Sequence, residues 1–275
     1  MADCSSTKLL VPHTYQPNCS ITGVLERLAP GQSTQGRKIA LILHGAMGHK
    51  DYLFQRRLAE RLPMDSFRFD FRGNHETPDD VQDLSVVAQY LQTVYGYVID
   101  MLVGHSRGSI VGMRWLCTAA GAGDVTTFIN VSGRYRMATP LKIWQEGFAS
   151  QGYFDWNTTV ARKPVTARIH PADVEMFVNW DTSIVWDRFP AKVHVLTIHG
   201  LSDNTVPSYD ALIYARALST RSPGTHTLHM VEDADHNFVG RQDEVVDHIL
   251  EWWGLYERGE LKFSGLWMTG VRGKL

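Results

Sequence analysis

The stretch Val98-Ile99-Asp100-Met101-Leu102-Val103-Gly104-His105-Ser106-Arg107-Gly108 decides how the rest of the chain is interpreted. A mostly apolar segment, typical of a buried strand, runs directly into a Gly-x-Ser-x-Gly motif, and a helical pattern follows it. A serine on a tight strand-to-helix turn needs glycines nearby, because side chains two residues away would collide with the neighbouring backbone. The stretch therefore predicts a serine displayed at the end of a strand, and Ser106 is the candidate nucleophile.

Length and composition indicate an ordinary globular protein. The chain has 275 residues, of which 44% are hydrophobic and 20% charged, so we expect one large core with an insertion. The net charge is −2, and no basic run exceeds two residues. These features give no attraction for nucleic acid or an anionic membrane, so we expect a small-molecule partner and neither of those two. The oligomeric state is left open.

The compartment is predicted from the amino terminus and the cysteines. The first residues lack the basic and then apolar pattern of a signal peptide, and no apolar run approaches the ~18 residues of a membrane span. Cys4, Cys19 and Cys117 are widely spaced and odd in number, which favours reduced thiols. We therefore expect a cytoplasmic protein. The 12 histidines show no metal-ligand spacing, so we expect no metal and no cofactor.

Strand and helix patterns alternate along most of the chain. Strands are predicted at 8–13, 21–28, 38–43, 66–71, 126–131, 193–199 and 227–231, and helices at 52–62, 81–95, 209–218 and 244–253. A further strand begins at Val98 and runs into the motif at Gly104, and the helix after the motif is marked by Ile110, Met113 and Cys117. This alternation predicts an α/β fold with a doubly wound, mostly parallel sheet, and its site at the carboxyl ends of the strands. The first two strands are expected to form an antiparallel edge. The tail after residue 258 gives no clear pattern.

The alternation stops between residues 134 and 190. This segment contains ten aromatic residues, which is too apolar for a disordered linker. We expect a folded cap at 134–190, inserted into a core domain formed by 1–133 and 191–275. Its aromatic side chains are candidates to contact substrate, although most are expected to form the cap's own core. The candidates are Trp144, Phe148, Tyr153, Phe154 and Trp156.

A serine hydroxyl at neutral pH needs an imidazole as general base and a carboxylate that holds the imidazole in the right tautomer. In a sheet of this kind the acid and the histidine follow the serine in that order, each after a later strand. Asp203 and His236 occupy such positions. Asp233 and Asp235 are rival acids, but they share one short loop with His236, so Asp203 is preferred.

Two backbone amides are expected to bind the oxyanion that develops on the substrate. The turn at the serine directs the amide of Arg107 at the reacting group, and the helix dipole supports it. The second donor is expected to be Ala46, in the glycine-rich turn His44-Gly45-Ala46-Met47-Gly48, where small residues let a substrate oxygen approach. The Arg107 side chain could bind a substrate carboxylate or, as we favour, pair with a carboxylate of the cap. His75 and His105 could line the site, but packing or turn roles are favoured for both.

Five segments together resemble the alpha/beta hydrolase family, and within it the cinnamoyl and feruloyl esterases. The segments are 44–50, 68–73, 104–108, 199–203 with 206–207, and 235–238. The resemblance implies a hydrolase sheet with an inserted cap and a serine esterase that works through an acyl-enzyme. An aromatic cap favours a compact pocket, so we expect small esters with short acyl or arylacyl groups. A non-catalytic receptor or scaffold, and a thioesterase or C–C hydrolase on the same fold, stay open as alternatives.

Overall fold

The computed structural model describes residues 4–72, 77–137, 142–160, 163–262 and 264–269. Its strands are β1 (Ser5–Pro12), β2 (Ser20–Arg27), β3 (Lys38–Leu43), β4 (Asp65–Phe69), β5 (Val98–His105), β6 (Thr127–Val131), β7 (Phe154–Val160), β8 (Lys163–Ile169), β9 (His194–Gly200), β10 (His226–Val231) and β11 (Ser264–Thr269). Its α-helices are α1 (Gln55–Arg61), α2 (Thr77–Tyr95), α3 (Arg107–Thr118), α4 (Lys142–Gln151), α5 (Pro171–Val178), α6 (Ile184–Arg188), α7 (Tyr209–Leu218) and α8 (Gln242–Glu257).

Nine of these strands form one sheet in the order β1-β2-β4-β3-β5-β6-β9-β10-β11. The pairs β1/β2 and β2/β4 are antiparallel, and every later neighbouring pair is parallel. The predicted mostly parallel α/β sheet and its antiparallel edge are therefore confirmed. Because the strands from β3 onward run in one direction, their carboxyl ends meet at a single edge of the sheet, where the candidate site residues lie.

Alternate residues of the central strands pack into two apolar cores on opposite faces of the sheet. In β3, Ile39, Leu41 and Leu43 belong to the core under α2 and α3, whereas Ala40 and Ile42 belong to the core under α1 and α8. Helices cover both faces, so the strands are apolar throughout, as parallel strands usually are. Among the described helices, none has both the length and the apolar character needed to cross a membrane.

The segment at 134–190, called the insertion below, has its own small apolar cluster. It contains α4, the antiparallel hairpin β7–β8, α5 and α6. The insertion cluster consists of buried Met47, Ala167, Ile169 and Val174, with Trp144, Phe148, Phe154, Trp156, Val160 and Val178 partly buried around them. Helix α6 differs, since its Val185 packs into the main core together with Phe189. The part of the insertion that packs on itself is therefore shorter than the predicted cap.

Candidate active site

Ser106 lies between β5 and α3 in a strained backbone conformation, with φ 52° and ψ −116°. The predicted need for glycine on both sides has a direct steric cause. A Cβ on Gly104 would lie 2.6 Å from the backbone of Gly108, and a Cβ on Gly108 would lie 2.7 Å from the carbonyl oxygen of His44. Such strain at a strand-to-helix turn costs about 1–3 kcal/mol and exposes the serine side chain at the sheet edge.

Three side chains from separate strand ends form one hydrogen-bonded chain. Ser106 Oγ lies 2.9 Å from His236 Nε2, and His236 Nδ1 lies 2.8 Å from Asp203 Oδ2. Because an ionised carboxylate only accepts hydrogen bonds, Nδ1 carries the proton and Nε2 is left to accept from the serine hydroxyl. The structure thus brings together Ser106, Asp203 and His236, in the tautomer that a general base requires.

The Asp203 carboxylate is held by donors on both of its oxygens. Oδ1 accepts from the amides of Thr205 and Val206, at 2.8 and 2.7 Å, and Oδ2 lies 3.3 Å from His199 Nε2 as well as next to His236. Burial alone would raise the pKa of Asp203, but the hydrogen bonds from the two histidines and the Val206 amide hold the pKa well below its usual value. The carboxylate therefore stays ionised beside the imidazole.

The rival acids serve the loop that carries the histidine. Asp235 is exposed, and its Oδ1 accepts from the amides of Asn237 and Val239 at 3.1 and 3.0 Å. Asp233 is exposed and has a positive φ of 56°. Of the three carboxylates, Asp203 is the one whose hydrogen bond reaches the imidazole of His236.

His105 holds the backbone of the loop that carries His236. Its Nε2 donates to the His236 carbonyl oxygen at 2.9 Å, and Ser132 Oγ donates to the same oxygen at 3.3 Å. Burial lowers the pKa of His105 to about 3, so the ring is neutral at physiological pH. His105 is thus a packing residue, as favoured from the sequence. His75 lies outside the described residues.

The predicted oxyanion turn is closed by a hydrogen bond from the Gly48 amide to the Gly45 carbonyl at 3.1 Å. Ala46 at its tip is exposed, and within the described part of the chain its amide has no acceptor. Met47 follows with φ 55°, in the left-handed region that glycine or asparagine normally occupies in such a turn. The turn approaches the serine closely, since a Cβ on Gly45 would lie 3.2 Å from the Ser106 Cβ.

Arg107 is the first residue of α3, where backbone amides point out of the helix N-terminus. Its side chain is buried and forms an ion pair with Asp80, which is fully buried on α2. The predicted partner, a carboxylate of the cap, is wrong for this ion pair, because Asp80 belongs to the core. Burial raises the pKa of Asp80, and the adjacent guanidinium of Arg107 opposes this rise by favouring the ionised carboxylate.

Most of the predicted substrate contacts lie in the insertion cluster. Trp144, Phe148, Phe154 and Trp156 are half-buried there around Met47, and the rings of Trp144 and Phe154 stack at 6.0 Å. Tyr153 lies apart from them, under the guanidinium of Arg168 at 3.8 Å. Contact of any of these side chains with a substrate stays a prediction.

Sequence reasoning missed three residues that shape the site: His199, Ser132 and Met47. His199 and Ser132 lie at the carboxyl ends of β9 and β6, so their position at the predicted site edge could have identified them. The role of Met47 could not be found in this way, because the buried residues that it packs with, Ala167, Ile169 and Val174, are more than a hundred residues away along the chain.

The comparisons with known proteins agree with this architecture. A sequence model described as the Alpha/beta hydrolase family matches residues 40–248. The Saccharomyces cerevisiae protein YDL057W is 29% identical, and the match covers 74% of this chain and 69% of the yeast protein. Est1E from Butyrivibrio proteoclasticus, solved with ferulic acid bound, has a TM-score of 0.66 and 14% identity, covering 89% of this chain and 97% of Est1E.

A second solved structure, the esterase domain of a Rhodothermus marinus protein, has a TM-score of 0.63 and 17% identity. It covers 90% of this chain and 97% of that domain. At such identities the two structures establish the fold, and the sequence match over residues 40–248 establishes the family. The chain belongs to the alpha/beta hydrolase family.

Proposed function

We propose that the protein is a serine hydrolase that cleaves small carboxylic esters through an acyl-enzyme. The observation that carries the proposal is the continuous hydrogen-bonded chain from Ser106 Oγ through His236 to Asp203, with both contacts below 3 Å. An intact chain of this kind argues for turnover and against a receptor that has lost it. The backbone amides of Ala46 and Arg107 at the same edge of the sheet support acyl transfer as the reaction class.

In the proposed first half-reaction, Ser106 Oγ attacks the ester carbonyl carbon while His236 Nε2 takes the hydroxyl proton. The bond to the alcohol breaks as His236 returns that proton to the leaving oxygen, which leaves an acyl-serine. Water then attacks the acyl group with the same histidine as base, and the carboxylic acid and free serine are released. Asp203 stays ionised throughout and stabilises the imidazolium that forms transiently.

The amides of Ala46 and Arg107 are proposed to donate to the oxyanion of the tetrahedral intermediate. One amide comes from the β3 turn and the other from the start of α3, so they reach the reacting carbonyl from two elements. A single donor of this kind typically contributes about 10²–10³ in kcat. The exposed tip at Ala46 leaves room for a substrate oxygen to approach.

The test is labelling with a fluorophosphonate, followed by intact mass and peptide mapping. We expect one adduct, located on Ser106, and none in Ser106→Ala. The same variant should keep its fold by circular dichroism and lose about three or more decades of turnover with p-nitrophenyl acetate. If Ser106 is not labelled, the receptor or scaffold alternative is favoured. Labelling without ester turnover would instead point to a thioesterase or C–C hydrolase.

The proposed substrates are esters of short acyl or arylacyl acids, with the insertion acting as a cap. Two observations support this choice: the aromatic insertion cluster includes Met47, which is next to Ala46, and the structurally similar Est1E binds ferulic acid. We expect p-nitrophenyl acetate to butyrate and methyl hydroxycinnamates to be hydrolysed faster than esters of long fatty acids. A kcat/KM that rises steadily from acetyl to dodecanoyl esters would contradict the proposal.

A further inference from the structure

Met47 is where the insertion meets the turn that carries the proposed oxyanion donor Ala46. The Met47 side chain is 7% exposed and packs with Ala167, Ile169 and Val174, all of which belong to the insertion. Among the described residues, Met47 is the one buried member of that cluster that comes from outside the insertion. The Met47 side chain therefore links the insertion to the turn, and Ala46 is the residue directly before Met47 in that turn.

In the part of the chain that the structure describes, no side-chain hydrogen bond or ion pair connects the Met47 turn to the insertion cluster. The side-chain hydrogen bonds and ion pairs of residues 144–178 stay within the insertion, for example between Arg168 and Asp155 or between Thr166 and Asn157. The contacts that anchor the insertion to the core lie at its two ends, where Arg136 pairs with Asp210 and Arg114 donates to the Asp181 carbonyl.

The two halves of the turn are held differently. Gly45 is held by the core, because its Cα faces His105 and Ser106 so closely that a Cβ would lie 2.9 and 3.2 Å from them. The opposite half depends on Met47, whose φ of 55° is unfavourable for a side chain with a Cβ. A conformation of this kind persists only where surrounding contacts hold it, and the insertion cluster supplies such contacts.

We propose that Met47 is a positioning residue: by packing into the insertion cluster, it holds the turn that presents the Ala46 amide to the substrate oxyanion. This inference rests on the proposed hydrolase function. Because the amide contributes most in the transition state, releasing the turn should lower kcat and leave KM for a small ester nearly unchanged. The insertion would then control catalysis as well as substrate size.

Three variants separate this role from packing alone. Met47→Ala removes the anchor but keeps the unfavourable Cβ, so kcat for p-nitrophenyl acetate should fall by about 10-fold or more with KM within about twofold. Met47→Leu refills the cluster and should restore kcat to within about threefold of wild type. Met47→Gly leaves a larger gap in the cluster but makes positive φ favourable, so its kcat should exceed that of Met47→Ala by about threefold or more.

The order of the glycine and alanine variants is the decisive result. A residue that only fills space predicts the opposite order, because glycine removes more of the packing, and that order would overturn the inference. Limited proteolysis of the insertion checks that both variants loosen it. Fluorophosphonate labelling of the wild-type protein separates the two proposals: an unlabelled Ser106 rejects the hydrolase function, whereas normal labelling with equal kcat in all Met47 variants rejects the positioning role alone.

Discussion

The proposed catalytic centre and the insertion meet at the same turn, but they are held in different ways. Ser106 stands between β5, whose residues are buried from Ile99 onward, and α3, most of which is buried on the sheet. In the described residues between 142 and 178, three are buried, namely Ala167, Ile169 and Val174. Apolar burial is the main source of stability, so we expect the insertion to open locally far more easily than the sheet.

Polar contacts show the same contrast. Around the serine they join elements far apart in sequence, as when His105 donates to the His236 carbonyl 131 residues away. In the insertion they join near neighbours on an exposed hairpin, such as Arg168 and Asp155, and exposed pairs contribute little to stability. The difference teaches that contacts from distant parts of the sheet hold the proposed reacting groups, whereas the insertion is held mainly by contacts between near neighbours.

The largest effect on activity is expected from replacing the acid of the proposed triad, Asp203. Asp203→Asn keeps an oxygen for the amides of Thr205 and Val206, but its new NH₂ group would face donors on His236 and His199. The imidazole then loses the tautomer that accepts the serine proton, and kcat should fall about 10³–10⁴-fold. Steady-state kinetics with p-nitrophenyl acetate measure this loss.

Asp235→Asn is the matched control, because Asp235 is exposed and caps two amides of the loop. An asparagine oxygen can accept the same bonds, so activity should stay within about threefold of wild type. If Asp235→Asn proves more damaging than Asp203→Asn, the acid has been assigned incorrectly.

The second prediction compares how much a tryptophan contributes to the free energy of unfolding in the sheet and in the insertion. Trp252 is fully buried under the sheet, with its Nε1 donating to Thr227 Oγ1 at 3.1 Å, whereas Trp156 is half-buried in the insertion cluster. Trp252→Ala should lower the free energy of unfolding by about 3–5 kcal/mol, and Trp156→Ala by about 1 kcal/mol. Urea denaturation followed by circular dichroism gives both values. Equal losses would mean that the insertion is packed as firmly as the core.

The parts of this molecule that follow repeating patterns could be predicted from sequence. The sheet and the edge that carries the site could be predicted from the buried apolar runs in β3 and β5. The strand-to-helix turn at Ser106 could be predicted from the glycines on either side of it. Asp203 and His236 then followed from chain order, because each lies in the loop after a parallel strand. These features are local or periodic, so one sequence is enough to find them.

The parts that depend on distant contacts could not be predicted. The tail strand β11 has the sequence SGLWMT, in which apolar and polar residues do not alternate, and its pairing with β10 identifies it as a strand. The hairpin β7–β8 is mostly exposed on β8 and lacks the alternation of a buried strand. Arg107 meets Asp80, and Met47 meets the insertion, only because the fold brings together residues that have no pattern in common.

The smallest effect is the dependence of the free energy of unfolding on pH, which we expect to arise from buried histidines in the sheet. Burial lowers the pKa of His44 to about 4, and that of His105 and His226 to about 3, whereas an unfolded histidine titrates near 6.5. Below pH 6.5 the unfolded chain therefore binds protons that the folded sheet does not, and stability falls as the pH drops toward 4. Between pH 7.5 and 5.5 each such histidine should cost about 1 kcal/mol.

His226→Gln isolates one of these groups away from the proposed active site. The His226 Nε2 lies 3.0 Å from Thr197 Oγ1, and a glutamine amide can replace that contact without titrating. Urea denaturation at pH 7.5 and 5.5 should show a smaller acid loss in the variant than in wild type, by about 1 kcal/mol, even if the variant is less stable at both pH values. If the variant and the wild type lose the same free energy of unfolding between pH 7.5 and 5.5, His226 is not held neutral in the folded sheet. The loss of stability in acid would then come from other groups, and the insertion would be tested next.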